Sequence, residues 1–370
     1  MLISYIFRVD FNYMSQRTSD RSYSSGIVSY TGSLSHQKTS GAIRMKHLTI
    51  IVPDGQNNLS SIVGPYKIFT RANEYWQETN GKELFTIQLA GLSKNVEFYG
   101  GLFTVKPHTN ISSIKKTDLI IIPSLNHNYR TAVKGNKLLV DWIAKQYKDG
   151  AEVASICTGA FLLASSGLLD GRSCSTHWVA ADNFRTMFPR VNLQTDKLIT
   201  DENGIYTNGG AYSFLNLMIY LVEKYYDRQT AIFCSKVFQI EMDRHSQSGF
   251  IIFKGQKQHD DEMVREAQAY IESKANEKLS MEYLSSKFSV SRRNFDRRFV
   301  KATGNTPLEY SQRVRIESAK KAIETSRKTI NEVMYEVGYS DVKAFREVFR
   351  RITGVSPLEY RTKYNKDALV

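Results

Sequence analysis

Between Lys46 and Phe253, short apolar runs alternate with longer segments whose apolar positions recur every three or four residues. The runs are "HLTIIVP" (47–53), "FTIQLAG" (85–91), "DLIIIPS" (118–124) and "AEVASIC" (151–157). Their short length and near-continuous apolarity predict strands buried on both faces. "LSSIVGPYKIFTRANEYWQ" (59–77) and "NKLLVDWIAKQYKDG" (136–150) lie between them with helical spacing. Strands alternating with helices predict an α/β domain, a parallel sheet covered by helices on both faces.

From Met263 onward the strand pattern stops. "MVREAQAYIESKA" and "SMEYLSSKFSV" are amphipathic at helical period, and "SRRNFDRRFVKATG" follows. A long helix over "PLEYSQRVRIESAKKAIETS" comes next, then "TINEVMYEVGYS" and "DVKAFREVFRRITG". This predicts an all-α domain. Pro307 and Pro357 each stand where a helix can begin.

The resulting map has five parts. Residues 1–44, rich in Ser, Tyr, Thr and Gly, read as disordered, or as an extension upstream of a start at Met45. Residues 45–253 form the α/β domain, and "KGQKQHDDE" (254–262) is a polar linker. The helical domain spans 263–364, and 365–370 is a tail.

The helical domain repeats itself. "TGNTPLEY" from Thr303 returns as "TGVSPLEY" from Thr353, 50 residues later. Phe295 and Phe299 precede the first copy as Phe345 and Phe349 precede the second. Two copies are too few for a solenoid, which needs at least three. Each reads as a short helix, a tight turn (288–291 and 337–340, with Gly338 left-handed in the second) and a second helix. Ser291 and Ser340 are the expected N-caps. The phenylalanines four apart face inward, leaving Arg292, Arg293, Arg297, Arg298 and Lys301 outside in the first copy. The second offers Lys343, Arg346, Arg350 and Arg351. One such unit could be two ordinary antiparallel helices with solvated charges. Two matching units favour paired helix-turn-helix motifs that enter DNA major grooves.

Charge agrees with that reading. The 370 residues carry a formal net charge of +13, which favours an acidic partner: nucleic acid first, a membrane surface second. No apolar run is long enough to span a membrane, and the N-terminus lacks the pattern of a signal peptide. Three sparse cysteines without metal-ligand spacing suggest a reducing, cytoplasmic setting. No metal or cofactor is implied.

Residues 263–364 resemble the DNA-binding domain of AraC-type transcriptional regulators, most specifically over "INEVMYEVGYSDVKAFREVFRRITGVSPLEYR" (330–361). The resemblance implies that Arg293, Asp296 and Arg297 read bases from the first unit, with Ser291 and Arg292 at the start of that helix. It implies Val342, Lys343, Arg346 and Glu347 for the second. Met334 stands where the family keeps a small residue, and Glu347 where it often has a basic one, so the second unit is expected to be the weaker reader.

In the α/β domain, "AEVASICTGAFLLASSGLLDG" (151–171) takes a strand directly into a helix at Cys157. Free N–H groups at a helix start would lower the thiol pKa, and His177 in "STHW" could serve as its base. The residues alone favour the blander reading, with Cys157 a small buried residue in a tight elbow and His177 a hydrogen-bonded core histidine beside Trp178. Residues 46–253 resemble the glutamine amidotransferase-like superfamily, in its PfpI-type intracellular protease branch. The similarity runs through Cys157, "GLLDGRSCSTHW", "YTNGGAYSFLNLMIYLVEKYY" and "RHSQSGF". Catalytic members keep an acid after the first strand. Here "PDGQNNLSSIVGP" has Asn57, Asn58, Ser60 and Ser61, with Asp54 too early to align.

Together the two resemblances imply a regulator of transcription whose front domain senses a small molecule or dimerises. Cys157, Thr158, His177, Gly209 and Gly210 form the expected ligand site, although the two glycines could merely shape a turn. Expected partners are double-stranded DNA, an unknown small-molecule effector, a second copy of the chain and RNA polymerase. The alternative is a cysteine-dependent hydrolase or thiol-chemistry enzyme, with Cys157 and His177 catalytic and the helical domain only targeting it to DNA.

Overall fold

The computed structural model describes residues 44–365, apart from Gln56, His127, Asp243, His245 and Lys278. The expectations for residues 1–43 and for the tail from 366 on lie outside the described residues. In the front domain the strands are β1 (Lys46–Val52), β2 (Phe85–Gly91), a β3–β4 hairpin (Val96–Phe98 and Phe103–Val105), β5 (Thr109–Asn110), β6 (Leu119–Ile122) and β7 (Glu152–Ile156). A small β8–β9 pair (Ser173–Cys174 and Asn192–Leu193) follows, then β10 (Ile199–Glu202) and β11 (Ile205–Asn208).

The main sheet has the order β10-β11-β7-β6-β1-β2-β5. Its pairings are parallel except at the β10 edge, which runs antiparallel to β11. The four runs singled out in the sequence are β1, β2, β6 and β7, and all but β2 lie at the centre of the order. That is why they are apolar on both sides: every residue of "LIII" in β6 is buried. Successive side chains divide between the two faces. Leu48, Ile50, Leu119, Ile121 and Ala154 join one core, while Ile51, Ile120, Ile122 and Val153 join the other.

Helices α1 (Ser60–Asn80), α2 (Tyr129–Gly135), α3 (Lys137–Lys148), α4 (Ala160–Ser165), α5 (Ala181–Met187), α6 (Phe214–Tyr225) and α7 (Arg228–Phe238) cover the sheet. α1, α6 and α7 pack on the first core. α3, α4 and α5 pack on the second.

The C-terminal domain contains α8 (Glu262–Ser273), α9 (Met281–Lys287), α10 (Arg292–Thr303), α11 (Pro307–Thr325), α12 (Ile330–Glu336), α13 (Val342–Thr353) and α14 (Pro357–Tyr364). It has two small cores. One holds Phe295, Phe299 and Tyr310; the other holds Phe345, Phe349 and Tyr360.

The repeated octapeptide is a structural joint. Its Gly, at 304 or 354, ends a helix in the left-handed conformation. Thr306 or Ser356 then caps the next helix, with Glu309 or Glu359 completing a capping box and Pro at its first turn. The final Tyr turns inward to meet the preceding Phe edge-on, Tyr310 at 5.4 Å from Phe299 and Tyr360 at 5.5 Å from Phe349.

Two local expectations need correction. Asp341, not Ser340, caps α13, its carboxylate accepting from the Ala344 N–H at 2.6 Å. A carboxylate one residue nearer the positive helix end is the better cap. The polar linker also ends sooner, because Asp261 caps α8 and Glu262 is already helical. The stretch before it is anchored: the Phe253 N–H donates to Glu317, and Lys320 donates to the Ile251 carbonyl.

Candidate functional site

In the first helix-turn-helix unit, Ser289 makes the turn with φ 54° and Ser291 caps α10. Phe295 and Phe299 are buried, so the opposite side of α10 is fixed outward. Arg293, Arg297 and Lys301 are exposed there. The other cations are engaged. Arg292 grips both oxygens of Asp296, at 2.9 and 2.8 Å, and also reaches Glu282 at 2.6 Å. Arg298 donates twice to Asp261, at 2.9 and 2.6 Å, tying α10 to the start of α8. Those bonds, with the Val264 N–H, hold the Asp261 carboxyl below its usual range despite partial desolvation. Arg297 is steadied by Asn294 Oδ1 at 2.9 Å.

In the second unit, Gly338 turns the chain with φ 79°. A Cβ there would lie 2.6 Å from the Asn276 carbonyl oxygen, so the turn packs against the loop between α8 and α9, just ahead of the first unit. Lys343, Arg346, Glu347 and Arg350 are exposed on α13, and Val342 is half-buried. Met334 is fully buried within the second core, and Arg351 is tied to Gln312 on α11.

At the C-terminal edge of the sheet, Cys157 follows β7 with φ 53°, a strained left-handed elbow. Its carbonyl accepts from Thr176 Oγ1 at 2.9 Å. Thr158 Oγ1 donates to the Leu125 carbonyl at 2.6 Å and lies 2.8 Å from Ser124 Oγ. The thiol is within hydrogen-bonding reach of Ser124, Thr158 and the His177 backbone N–H.

Burial nevertheless pushes the Cys157 thiol pKa up, which reverses the expected lowering. With 4% of the residue exposed, desolvation of a thiolate outweighs the N–H groups of one short turn. The His177 ring has a different task from the one expected of a base. Its Nδ1 accepts from the Val179 N–H at 3.1 Å, and burial lowers its pKa. His177 thus meets Cys157 through its backbone.

The structure therefore brings Cys157, Thr158 and His177 together. Asn208 pairs in register with Ile156, which sets Gly209 and Gly210 beside the elbow. Their space is taken by this chain: a Cβ on Gly209 would stand 2.0 Å from Gln247 Nε2, and one on Gly210 2.6 Å from Ser213 Oγ. Sequence reasoning missed three neighbours, Ser124, Tyr129 and Gln247, and noted a fourth, Asn57, only for the acid that its loop lacks. Ser124 and Tyr129 reach the thiol region, with Tyr129 stacked on Phe161 at 4.0 Å. Asn57 and Gln247 are buried and each leaves a side-chain oxygen with no protein partner among the described residues. Ser124 was accessible in principle, since it ends the third apolar run, where sites gather in open α/β sheets.

Comparison with known proteins places both halves. The DJ-1/PfpI family matches residues 46–224, and the helix-turn-helix domain matches residues 284–363. The chain is similar to the HTH-type transcriptional regulator GbdR of Pseudomonas aeruginosa, 24% identical over 305 residues, covering 82% of this chain and 80% of that one. It is also similar to the HTH-type transcriptional regulator GlxA of Rhizobium meliloti, 25% identical over 220 residues, 58% of this chain and 66% of that one. Among solved structures, an AraC family transcriptional regulator from Pseudomonas putida covers 52% of this chain and 99% of its own, at 16% identity and a TM-score of 0.44. The front domain is thus a DJ-1/PfpI domain and the C-terminal domain an AraC-type helix-turn-helix domain, the pairing under which the similar regulators are also matched.

Proposed function

We propose that this protein regulates transcription by binding operator DNA through α10 and α13, under control of its front domain. One observation carries the reading. In both units a pair of buried phenylalanines fixes a helix so that its opposite, exposed face is cationic: Arg293, Arg297 and Lys301 on α10, Lys343, Arg346 and Arg350 on α13. Arg293, Arg297, Lys343 and Arg346 are the base-reading candidates. Ser291, Arg292 and Asp296 position α10, and Val342 and Glu347 flank the readers of α13.

The front domain receives the signal, with a small molecule at the Cys157–His177 edge, and holds two copies of the chain together. RNA polymerase is the further partner of an activator, and the cytoplasm is the setting. Turnover at Cys157 is disfavoured by the raised thiol pKa, the occupied His177 Nδ1 and the amide of Asn57 in the loop where catalytic relatives keep an acid. Among the described residues no helix is long and apolar enough to cross a membrane.

The test is selection of sheared genomic DNA by the purified protein at about 0.15 M salt, where purely phosphate-driven binding has weakened steeply. Enrichment of a few sites with paired half-sites supports the reading. Retention without sequence preference, together with hydrolysis abolished by Cys157→Ser, would establish the enzyme instead.

A further inference from the structure

Both domains fall within one compact unit, and a cavity of about 380 Å³ lies between them. Its front-domain wall is Trp178 with Asp182 and Arg185 of α5; its other wall is Gly304, Asn305 and Arg313 at the joint of α10 and α11. The segment from Ile251 to Gln258 closes it. A volume of this order suits a small organic ligand.

The charges lining it are unbalanced. Asp182 is engaged by Arg185 at 3.2 Å, and Lys257 by Glu272 at 2.7 Å. Arg313 is half-buried and donates through Nε to Asn305 Oδ1 at 2.9 Å, with no carboxylate in ion-pair contact among the described residues. Burial, with Arg185 and Arg351 nearby, makes its charge harder to hold even though Glu309 and Asp196 partly offset it. Lys254 adds an exposed ammonium at the same cavity. Trp178, Val179 and Phe253 supply apolar surface.

We propose that this cavity binds a small organic carboxylate, anchored by Arg313 and seated against Trp178, and that its occupancy couples the front domain to α10. A planar guanidinium with free donors matches a carboxylate in two-point contact. The position explains the coupling. Gly304 is the C-cap of α10, so an occupant would brace the first DNA-facing helix against α5. Trp178 also follows His177, whose N–H reaches the Cys157 thiol. The coupling rests on the regulator reading above; the binding does not.

Benzoate, benzamide and inorganic phosphate are titrated into the full chain by calorimetry. Benzoate should saturate at millimolar concentration or below, with benzamide and phosphate at least tenfold weaker. Arg313→Met and Lys254→Ala should each weaken benzoate, Arg313→Met by about tenfold or more, and Arg313→Lys should recover part. Lys148→Ala, on α3, should change nothing. If Arg313→Met does not fold, Arg313→Lys and Lys254→Ala carry the comparison. No saturation by benzoate at 10 mM, equal binding of benzamide, or indifference to these variants overturns the site. Saturating benzoate should shift affinity for the selected DNA at least threefold. Benzoate binding without that shift overturns the coupling and leaves the site. Benzoate binding by a protein that selects no DNA sequence sinks the regulator reading and not the cavity.

Discussion

Cys157 sits where two local effects oppose each other. The turn into α4 offers N–H groups to a thiolate, but the packed elbow removes the water that a thiolate needs, and burial wins. Folded protein at pH 8 should therefore alkylate with iodoacetamide far more slowly than urea-unfolded protein, because all three cysteines are buried. Rapid labelling of Cys157 in the folded state would contradict this. Cys234 and Cys174 are pushed up to about 11 and about 12 from 9.0, again chiefly by burial. A raised thiol pKa leaves stability intact below the unfolded value and removes it as pH climbs through the folded one. The urea midpoint should then fall as pH rises from about 9, each group contributing a slope of up to about 1.4 kcal/mol per pH unit. Arg297 and Arg298 make a second pair of contrasts, adjacent in sequence yet differently employed. Arg297→Ala should lose about 1–3 kcal/mol of base discrimination, read by competition between matched and mismatched operators. Arg298→Ala should instead lower the unfolding midpoint with discrimination kept, since Arg298 holds Asp261. The outward basic residues were legible as a set from the phenylalanine spacing, but their division was not: an ion pair between residues 37 apart leaves no periodic trace.

At the scale of elements, the legible parts are those whose pattern is set by burial. β1, β6 and β7 stand out because a central strand must be apolar on both faces, and the helices flanking them because one stripe must face the sheet. The antiparallel β10 edge and the short α5 were not read, since an edge strand such as "ITDE" is only partly buried. The elbow was legible as a Cys and a His; that the imidazole turns to accept from the Val179 N–H depends on a rotamer. Turns carry the clearest element-level prediction. Gly338 has φ 79° and faces the Asn276 backbone, whereas Gly304 has φ 72° with open space around it. Gly304→Ala meets only the left-handed penalty, about 1–2 kcal/mol. Gly338→Ala adds overpacking against a carbonyl that cannot rotate away, for roughly 2–5 kcal/mol in total. Urea unfolding should rank the two in that order; equal losses would mean that the Asn276 segment yields freely.

Across the whole molecule, the connection between the two DNA-facing helices decides what kind of operator can be read. α11 has 19 residues, about 28 Å at 1.5 Å each. It is built into both C-terminal cores: Val314 packs with Phe295 and Phe299, while Ile316, Ala319 and Ile323 pack with Phe345 and Phe349. α10 and α13 are thereby held at a set separation by a linking helix whose length is comparable to one DNA turn of about 34 Å, and they should enter successive major grooves on one face. A flexible tether would allow the half-sites to move apart; a helix embedded at both ends does not. Inserting five base pairs between the half-sites turns the second to the far side of the duplex. Inserting ten restores the face but adds about 34 Å, which α11 cannot supply. Both insertions should therefore lower affinity to that of a single half-site, measured by gel shift at constant salt. Recovery at ten base pairs would mean that the two units are tethered loosely, and that the packing of α11 does not set their spacing on DNA.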